Sequence, residues 1–254
     1  GSIVPSVFAA YIIVWVLIYF SVWKGVKSVG KATLITLPLP LILLVVLTIR
    51  GLTLPGAMEG IIYYLKPNFS ALFDAEVWSA AMSQIFFSLS IGFGVMVAYA
   101  SYRGETDDIS KTAVITAVSN AVISIISGFA VFSTLGYMAV SQGIDVSEIA
   151  TGGPGLAFVV FPKALSLIPF APLFSVMFFL ILLSLGVNSG YSIVEGLSTV
   201  ISDRFPSVKT KHIALIVCLF GFLGGVLYTT QSGLYYLDIT DHYITNYGVV
   251  IFAL

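Results

Sequence analysis

Residues 84–102 read QIFFSLSIGFGVMVAYASY and set the architecture of this protein. The segment is apolar and long enough to cross a bilayer, yet its middle holds two serines and two glycines, Ser88, Ser90, Gly92 and Gly94. Glycine holds a helix poorly, and serine hydroxyls satisfy backbone groups that an unwound turn leaves without partners. The pattern favours a membrane helix interrupted near its middle, beside a cavity. The alternative is a continuous helix whose small residues let a neighbouring helix approach closely.

The composition of the whole chain is that of an integral membrane protein. Of the 254 residues, 58% are hydrophobic and 9% are charged, and the mean hydropathy is +1.05. Soluble domains carry about 25% charged residues, so a soluble globular protein and a disordered chain are both excluded. Eleven Lys and Arg residues against twelve Asp and Glu provide no basic surface for nucleic acid. The single Cys218 excludes a disulfide framework and a cysteine metal site.

The hydrophobic residues come in blocks of the length that a membrane helix needs. We expect an all-α membrane protein with spans at residues 7–23, 32–49, 78–100, 112–140, 171–201 and 212–229, and a truncated last span at 241–254. The chain begins with Gly1 and Ser2, without Met and without a signal peptide. We therefore expect it to be an internal fragment of a longer protein.

The positive residues predict an orientation, because cytoplasmic connections carry an excess of Lys and Arg. Eight of the eleven lie in three alternate connections, residues 24–31, 101–111 and 202–211. The other three lie in the remaining connections. We expect the first set of connections to face the cytoplasm.

Two long connections, residues 50–77 and 141–170, are external in this orientation. The second contains GGPGLAFVVFPKAL, residues 152–165, in which a Gly/Pro turn precedes an apolar stretch too short to span a bilayer. This segment is either a lid that dips into an outer vestibule or an interfacial helix without a gating role.

Two amide–hydroxyl pairs lie on consecutive predicted spans. Gln84 and Ser88 are four residues apart, and Asn120 and Ser124 in TAVSNAVISIIS have the same spacing, which places each pair on one helix face. All four side chains are neutral hydrogen-bond donors, and this suits an anion in a site of low dielectric. Their oxygens also suit a hard cation such as sodium. The alternative is ordinary hydrogen bonding between helices.

A third polar cluster occurs in the fifth span, where Asn188, Ser189 and Ser192 lie at mid-depth. Glu195 follows about one turn from the cytoplasmic interface. An ionisable side chain inside a span marks either a transport pathway or a buried pair, and the sequence leaves both interpretations of Glu195 open.

These segments resemble one family of transporters. QIFFSLSIGFGVMVAYASY resembles the sixth span of the neurotransmitter:sodium symporter family (solute carrier 6-like), and GGPGLAFVVFPKAL, VNSGYSIVEG and DRFP resemble its fourth external loop and eighth span. The resemblance implies the leucine-transporter fold, an inverted repeat with a discontinuous sixth helix. Residues 1–254 would form a single transporter domain covering about family spans four to ten. The first three spans and the C-terminal ones would be further parts of the same protein.

The resemblance implies roles for the residues that match the family's motifs. The substrate pocket would be lined by Phe87, Ser88, Ser90, Phe93, Ser189, Ser192 and Ile193. Sodium would be bound by Ser88, Asn120, Leu185, Asn188 and Ser189. Chloride would be bound by Gln84, Ser88, Asn120 and Ser124. The gates would include Phe87, Tyr102, Asp203 and Asp241. The amide at position 188 departs from the family's usual hydroxyl or Asp, although an amide oxygen can still coordinate sodium.

The implied function is a sodium-coupled, chloride-dependent symporter in the cell membrane. It would carry a small amino acid or a related amine by alternating access. A sodium-independent amino-acid permease of the same fold is the alternative within transport, and a channel-like or structural membrane protein is the alternative outside it. An enzyme is not expected, because the two histidines, His212 and His242, lie at opposite predicted membrane faces without a metal-site or triad motif.

Overall fold

The computed structural model describes residues 1–24, 26–104, 107–150, 153–248 and 251. Within these ranges the regular elements are helices, and one isolated bridge pairs Ile3 with Thr230. Parts of the predicted connections 24–31, 101–111 and 141–170, and the end of the predicted span 241–254, lie outside the described residues.

Thirteen α-helices follow one another in the described part of the chain. They are α1 (Pro5–Val22), α2 (Val26–Thr36), α3 (Pro38–Leu52), α4 (Ala57–Leu65), α5 (Ala75–Ser88), α6 (Val95–Ser101), α7 (Ile109–Gln142), α8 (Val146–Ile149), α9 (Gly153–Gly155), α10 (Phe161–Leu167), α11 (Ala171–Arg204), α12 (Thr210–Gly225) and α13 (Gly233–Tyr243). A π-helical segment, Leu156–Val160, joins α9 to α10.

Five helical stretches in the described residues are long and apolar enough to cross a membrane. They are Pro5–Val22, Val29–Leu52, Ile109–Gln142, Ala171–Arg204 and Thr210–Thr229. The prediction of an all-α membrane protein is therefore confirmed. The predicted span at 78–100 is absent from this group because its helix is divided into α5 and α6.

The stretch Val29–Leu52, which contains the predicted span at 32–49, changes helix at a single residue, Leu37. Helix α2 ends at Thr36 and α3 begins at Pro38. Proline disfavours helical backbone in the residue before it and lacks an amide proton, but it suits the first position of a helix. Hydropathy does not register this effect, since proline interrupts the helix without making the segment polar.

The last helix begins earlier than hydropathy indicates. Helix α13 starts at Gly233, whereas the predicted block starts at 241. Its first turns include Asp238 and Thr240, which lower the hydropathy of the segment although they remain helical. Hydropathy locates the apolar part of a helix and not its first residue.

The helices are grouped into two compact units. Unit 1 comprises residues 1–37, 78–112 and 185–254, and unit 2 comprises residues 38–77 and 113–184. Of the four boundaries between them along the chain, one falls between α2 and α3, one inside α5, and two inside the longest helices, α7 and α11.

The core of unit 1 forms where α1, α2, α11 and α12 meet. Its buried residues include Val22, Val29, Tyr191 and Ala214. The Tyr191 hydroxyl lies 2.8 Å from the Thr33 hydroxyl, which fixes α11 against α2 by a hydrogen bond. Unit 1 therefore contains both α6 and the C-terminal part of α11, from Leu185 onward.

Unit 2 contains the described residues of the two long connections, 50–77, 141–150 and 153–170. Phe161 and Leu165 of α10 are buried with Phe178 of α11 in its core. Helix α4 lies directly against α7, because a Cβ on Gly60 would stand 1.8 Å from the carbonyl oxygen of Phe132. The segment 152–165 is thus largely helical and packs into unit 2 from residue 153 onward, while its predicted role as a lid remains a prediction.

Candidate functional site

The predicted interruption between residues 84 and 102 is present. Helix α5 ends at Ser88 and α6 begins at Val95. Between them Ser90, Gly92 and Gly94 have positive φ angles of 54°, 88° and 72°. Glycine adopts this backbone region readily, whereas serine does so only with strain. The discontinuous helix is therefore confirmed, and the alternative of a continuous, closely packed helix is wrong.

The break opens onto a cavity of about 500 Å³ within unit 1. Its wall consists of side chains from α5, the break, α6 and α11, namely Gln84, Phe87, Ser88, Ser90, Phe93, Val95, Met96, Tyr99, Asn188, Ser189, Ser192 and Ile193. Every residue predicted for the substrate pocket lies in this wall. Ligand sites commonly have this size and this mixture of apolar and precisely placed polar groups.

Two aromatic rings bracket the break. Phe87 from α5 and Phe93 from the unwound turn meet edge to face, with ring centroids 5.8 Å apart and an interplanar angle of 80°. This arrangement is favourable for aromatic pairs. Phe87 is 48% exposed, and it forms part of the cavity wall.

Three cavity residues that the sequence analysis missed are Val95, Met96 and Tyr99, all on α6. The Tyr99 hydroxyl donates to the Ser192 hydroxyl at 2.8 Å. Ser192 in turn donates to the backbone carbonyl of Asn188 at 2.9 Å. For Tyr99 the sequence did hold a signal, because a tyrosine in an apolar helix usually needs a hydrogen-bond partner for its hydroxyl.

A second tyrosine contact is made by Tyr102, the residue that directly follows α6. The Tyr102 hydroxyl is 3.2 Å from Glu195 Oε1 and is hydrogen-bonded to the Thr199 hydroxyl. Thr199 donates to the Glu195 backbone carbonyl at 2.9 Å. The predicted gate residue Tyr102 thus joins α6 to α11 at the end of the helices opposite the break.

The two predicted acidic gate residues lie elsewhere in unit 1. Asp203 is exposed near the end of α11, and Asp241 is exposed on α13. Neither is part of the cavity wall. The salt bridge found among the described residues joins Arg103 to Asp107 at 3.5 Å, so neither aspartate forms one there.

The predicted ion-binding residues are distributed over both units. Ser88, Leu185, Asn188 and Ser189 belong to unit 1, as does Gln84, whereas Asn120 and Ser124 lie on α7 in unit 2. Leu185 precedes Asn188 by one turn of α11 and is not part of the cavity wall.

The oxygen atoms in the cavity wall are chemically suited to coordinate sodium. Ser88, Asn188 and Ser189 offer hydroxyl and amide oxygens, which hard cations prefer. Among the described residues, no group of three or more His, Cys, Asp or Glu side chains could hold a metal ion. The described residues therefore contain no transition-metal site built from such side chains. The neutral oxygens of the cavity wall suit sodium instead.

Comparison with known families gives one match over the whole chain. The model of the Sodium:neurotransmitter symporter family matches residues 1–254.

Comparison with curated proteins gives matches that cover nearly all of this chain. An uncharacterized sodium-dependent transporter of Methanocaldococcus jannaschii is 44% identical over 256 residues, which cover 100% of this chain and 52% of that protein. The sodium- and chloride-dependent GABA transporter 2 of Rattus norvegicus is 39% identical over 258 residues, covering 100% and 43%. The creatine transporter of Torpedo marmorata is 44% identical over 235 residues, covering 90% and 38%.

Among solved structures, the chain is similar to the crystal structure of MhsT in complex with L-phenylalanine. The TM-score is 0.78 at 29% sequence identity, and the match covers 95% of this chain and 55% of the MhsT chain. The chain therefore spans about half the length of the proteins that it matches.

Proposed function

Because this chain belongs to the Sodium:neurotransmitter symporter family, we propose that it supplies the substrate and ion sites of a sodium-coupled, chloride-dependent symporter. The substrate class is a small amino acid or a related amine, and the location is the cell membrane. The observation that carries the proposal is the cavity at the break between α5 and α6, walled by aromatic rings and neutral oxygens.

Family membership establishes the coarser statements. The family consists of multi-pass membrane transporters and not of enzymes, and its members bind small molecules within the membrane. Relatives of this chain are named as sodium-dependent transporters. Because the chain covers about half of them, the activity of the whole protein is proposed and not shown.

The substrate site is assigned to the cavity. Phe87, Ser88, Ser90, Phe93, Ser189, Ser192 and Ile193 are the proposed contacts. The two phenylalanine rings and Ile193 would hold apolar parts of the substrate, and the serines would orient its polar groups. No Lys, Arg, His, Asp or Glu belongs to this wall. A substrate without net charge on its side chain fits this chemistry, because an unpaired charge is costly in such surroundings.

The sodium sites are assigned to Ser88, Asn120, Leu185, Asn188 and Ser189. Hydroxyl, amide and backbone carbonyl oxygens are typical ligands of a hard cation, and a broken membrane helix supplies carbonyl groups without helical partners. Sodium and substrate then stabilise the same closed state, and the sodium gradient drives the substrate across.

The chloride site is assigned to Gln84, Ser88, Asn120 and Ser124. All four are neutral donors, and none of them carries a negative charge that would repel an anion. The name of the rat relative, a sodium- and chloride-dependent transporter, supports the same assignment.

Alternating access would use gates on the two sides of the cavity. Phe87 would cover the substrate, Asp241 would belong to the outer gate, and Tyr102 with Asp203 would belong to the inner gate. Residues 1–254 would act as one transporter domain together with the family's remaining spans. The contact of Tyr102 with α11 supports the inner-gate role, since it joins the half-helix α6 to the span that it must leave when the gate opens.

The test is uptake of pooled labelled amino acids by proteoliposomes that contain the full-length protein. We expect uptake under an inward sodium gradient that falls when gluconate replaces chloride. Ser189→Ala should impair uptake, whereas Ser21→Ala should not, because the Ser21 hydroxyl bonds to its own helix at Leu17. Equal uptake in sodium and potassium would instead favour the sodium-independent permease.

A further inference from the structure

Tyr191 is the largest fully buried side chain among the described residues, and the proposed transport sites do not include it. It is 1% exposed and lies on α11, directly before Ser192 and two residues after Ser189. Val187 and Val194, four residues before it and three after it, are buried in the same core. The side of α11 that carries Tyr191 therefore packs into the protein, whereas Ser189 and Ser192 belong to the cavity wall.

The Tyr191 hydroxyl is the donor in its hydrogen bonds to α2. It lies 2.8 Å from the Thr33 hydroxyl and 3.3 Å from the Thr36 hydroxyl. Thr33 donates to the Val29 carbonyl and Thr36 donates to the Ala32 carbonyl, each at 3.0 Å. A threonine hydroxyl has one hydrogen, so both threonines can only accept from Tyr191. The Tyr191 hydrogen therefore points to α2, and the shorter of its two bonds is the one to Thr33.

The same turn of α11 is also packed closely against α1. A Cβ on Gly190 would stand 2.7 Å from Ile18 Cδ1, so α1 lies directly beside this turn. Apolar packing of this kind has no preferred direction, whereas a hydrogen bond depends on the angle at its hydrogen. The bond from Tyr191 to Thr33 is therefore the contact that specifies the rotation of α11 about its own axis.

Rotation of α11 would move the proposed sodium ligands. Successive residues of a helix are about 100° apart, since one turn holds 3.6 residues, and Ser189 and Tyr191 consequently lie on nearly opposite sides of α11. Asn188 precedes Tyr191 by three residues. Because all three belong to one continuous helix, a rotation that takes Tyr191 away from Thr33 also displaces the oxygens of Asn188 and Ser189.

We propose that Tyr191 is a positioning residue for sodium binding: its hydrogen bond to Thr33 holds α11 in the rotation at which Asn188 and Ser189 face the cavity. The proposal rests on the sodium-coupled function proposed above, and it adds a residue outside the proposed sodium and substrate contacts. Without the bond, α11 adopts other rotations for part of the time, and sodium binds only the competent fraction. The apparent sodium affinity falls by that fraction, while saturating sodium still fills the site.

The test is binding of radioactive sodium ions to the purified full-length protein without substrate. Tyr191→Phe keeps the ring and its packing but removes the hydroxyl. We expect the sodium concentration for half-saturation to rise about two- to tenfold, the range that one lost hydrogen bond gives. The number of sodium ions bound at saturation should stay at the wild-type value. An unchanged half-saturating concentration would overturn the proposal, even if Tyr191→Phe lowered the Tm.

Thr33→Val tests the bond from its other end and does not depend on how Tyr191→Phe folds. It should raise the half-saturating sodium concentration less than Tyr191→Phe does, because Thr36 remains as an acceptor 3.3 Å from the Tyr191 hydroxyl. Thr33→Ser keeps an accepting hydroxyl and should bind sodium as the wild type does. Thr134→Val is the matched control, because Thr134 is buried in unit 2 and its hydroxyl bonds to its own helix at Ala130.

The double variant separates one shared bond from two independent effects. Tyr191→Phe and Thr33→Val remove the same bond, so together they should raise the half-saturating concentration no more than Tyr191→Phe alone. A combined effect equal to the product of the two single effects would overturn the proposal, and so would a Thr33→Ser protein as weak as Thr33→Val. Absence of sodium binding in the wild type would contradict the proposed function itself. Sodium binding in the wild type that Tyr191→Phe leaves unchanged would contradict the positioning role alone.

Discussion

Tyr99 donates a hydrogen bond of 2.8 Å to Ser192, and this bond joins the half-helix α6 to α11 at the wall of the cavity. The Ser192 hydroxyl donates its own hydrogen to the backbone carbonyl of Asn188, 2.9 Å away. The Ser192 hydroxyl therefore has no hydrogen left for a ligand, and it offers only an acceptor. In its proposed contact with substrate, Ser192 can therefore only accept a hydrogen bond or pack against the ligand. Its structural role is to hold α6 through the bond from Tyr99.

Tyr99→Phe should weaken substrate binding by loosening α6. The lost hydrogen bond is worth about 0.5–1.5 kcal/mol, or up to roughly tenfold in apparent affinity. Ser192→Ala should have a comparable effect, and the double variant should cost less than the sum, because both changes remove the same bond. The measurement is the substrate concentration for half-maximal uptake in all four proteins. Additive effects would show that the bond contributes nothing to binding.

Asn188→Ala should raise the sodium concentration needed for half-maximal uptake. The amide oxygen is a proposed sodium ligand, and a polar contact to a charged partner is worth about 1.5–3 kcal/mol, which corresponds to an increase on the order of tenfold or more. Asn68→Ala is the control, because Asn68 is exposed in the connection after α4. An unchanged sodium requirement in Asn188→Ala would remove this residue from the sodium site.

Ser124→Glu should make uptake independent of chloride. The new carboxylate would supply, at a fixed position, the negative charge that chloride otherwise brings. We expect replacement of chloride by gluconate to reduce uptake by the wild type and to leave uptake by the variant unchanged. Ser127→Glu, three residues further on the same helix, should remain chloride-dependent. Chloride-independent uptake by the wild type would contradict the assigned anion site.

Gly60→Ala should destabilise unit 2. A Cβ at this position would lie 1.8 Å from the Phe132 carbonyl oxygen, and backbone cannot move aside as a side chain can. Forced packing of this kind costs about 1–3 kcal/mol, sometimes more, so a reduction in Tm of several degrees is expected in detergent. Gly155→Ala is the matched control, since a Cβ there would meet no atom within 4 Å. Equal Tm values for the two variants would contradict the close contact of α4 with α7.

Asp145 should make the order of α8 depend on pH. Its Oδ1 accepts hydrogen bonds from the Ser147 hydroxyl at 2.6 Å and from the Ser147 amide at 2.7 Å. These bonds, the one from the hydroxyl first, lower the pKa of the Asp145 carboxyl. Because the folded pKa is the lower one, the stabilisation is complete above the unfolded pKa of about 3.9 and is lost as pH falls through the folded value.

Hydrogen exchange at the α8 amides provides the measurement. Asp145→Ala should exchange faster than wild type at neutral pH, and the difference should shrink at pH values below the folded pKa. Asp145→Asn retains an accepting oxygen that does not titrate, so its difference from wild type should not follow the same curve. A difference between wild type and Asp145→Ala that is constant with pH would contradict the capping role.

The discontinuous helix could be predicted because its cause is local. Gly92 and Gly94 readily adopt the positive φ angles found there, and glycines in the middle of an apolar segment are visible in the sequence. The predicted pocket residues also came together, since Asn188, Ser189 and Ser192 recur at the spacing of one helix face.

Features that depend on residues far apart in the chain could not be predicted in the same way. The partner of Tyr99 is Ser192, 93 positions away, and neither residue type indicates in the sequence that the two will pair. The helix interruption before Pro38 and the early start at Gly233 were missed for another reason. Hydropathy reports whether a segment is apolar, whereas helix ends depend on backbone geometry and capping.

The interleaving of the two units has a consequence for the order in which the protein is made. Unit 2 ends at residue 184, whereas unit 1 needs residues 185–254. Because a chain emerges from its N-terminal end, unit 2 has all its parts while unit 1 still lacks its final segment. During that interval Tyr99 and Tyr102 have been synthesised, but Ser192, Glu195 and Thr199 have not. The half-helix α6 is thus held in place only at a late stage of biosynthesis.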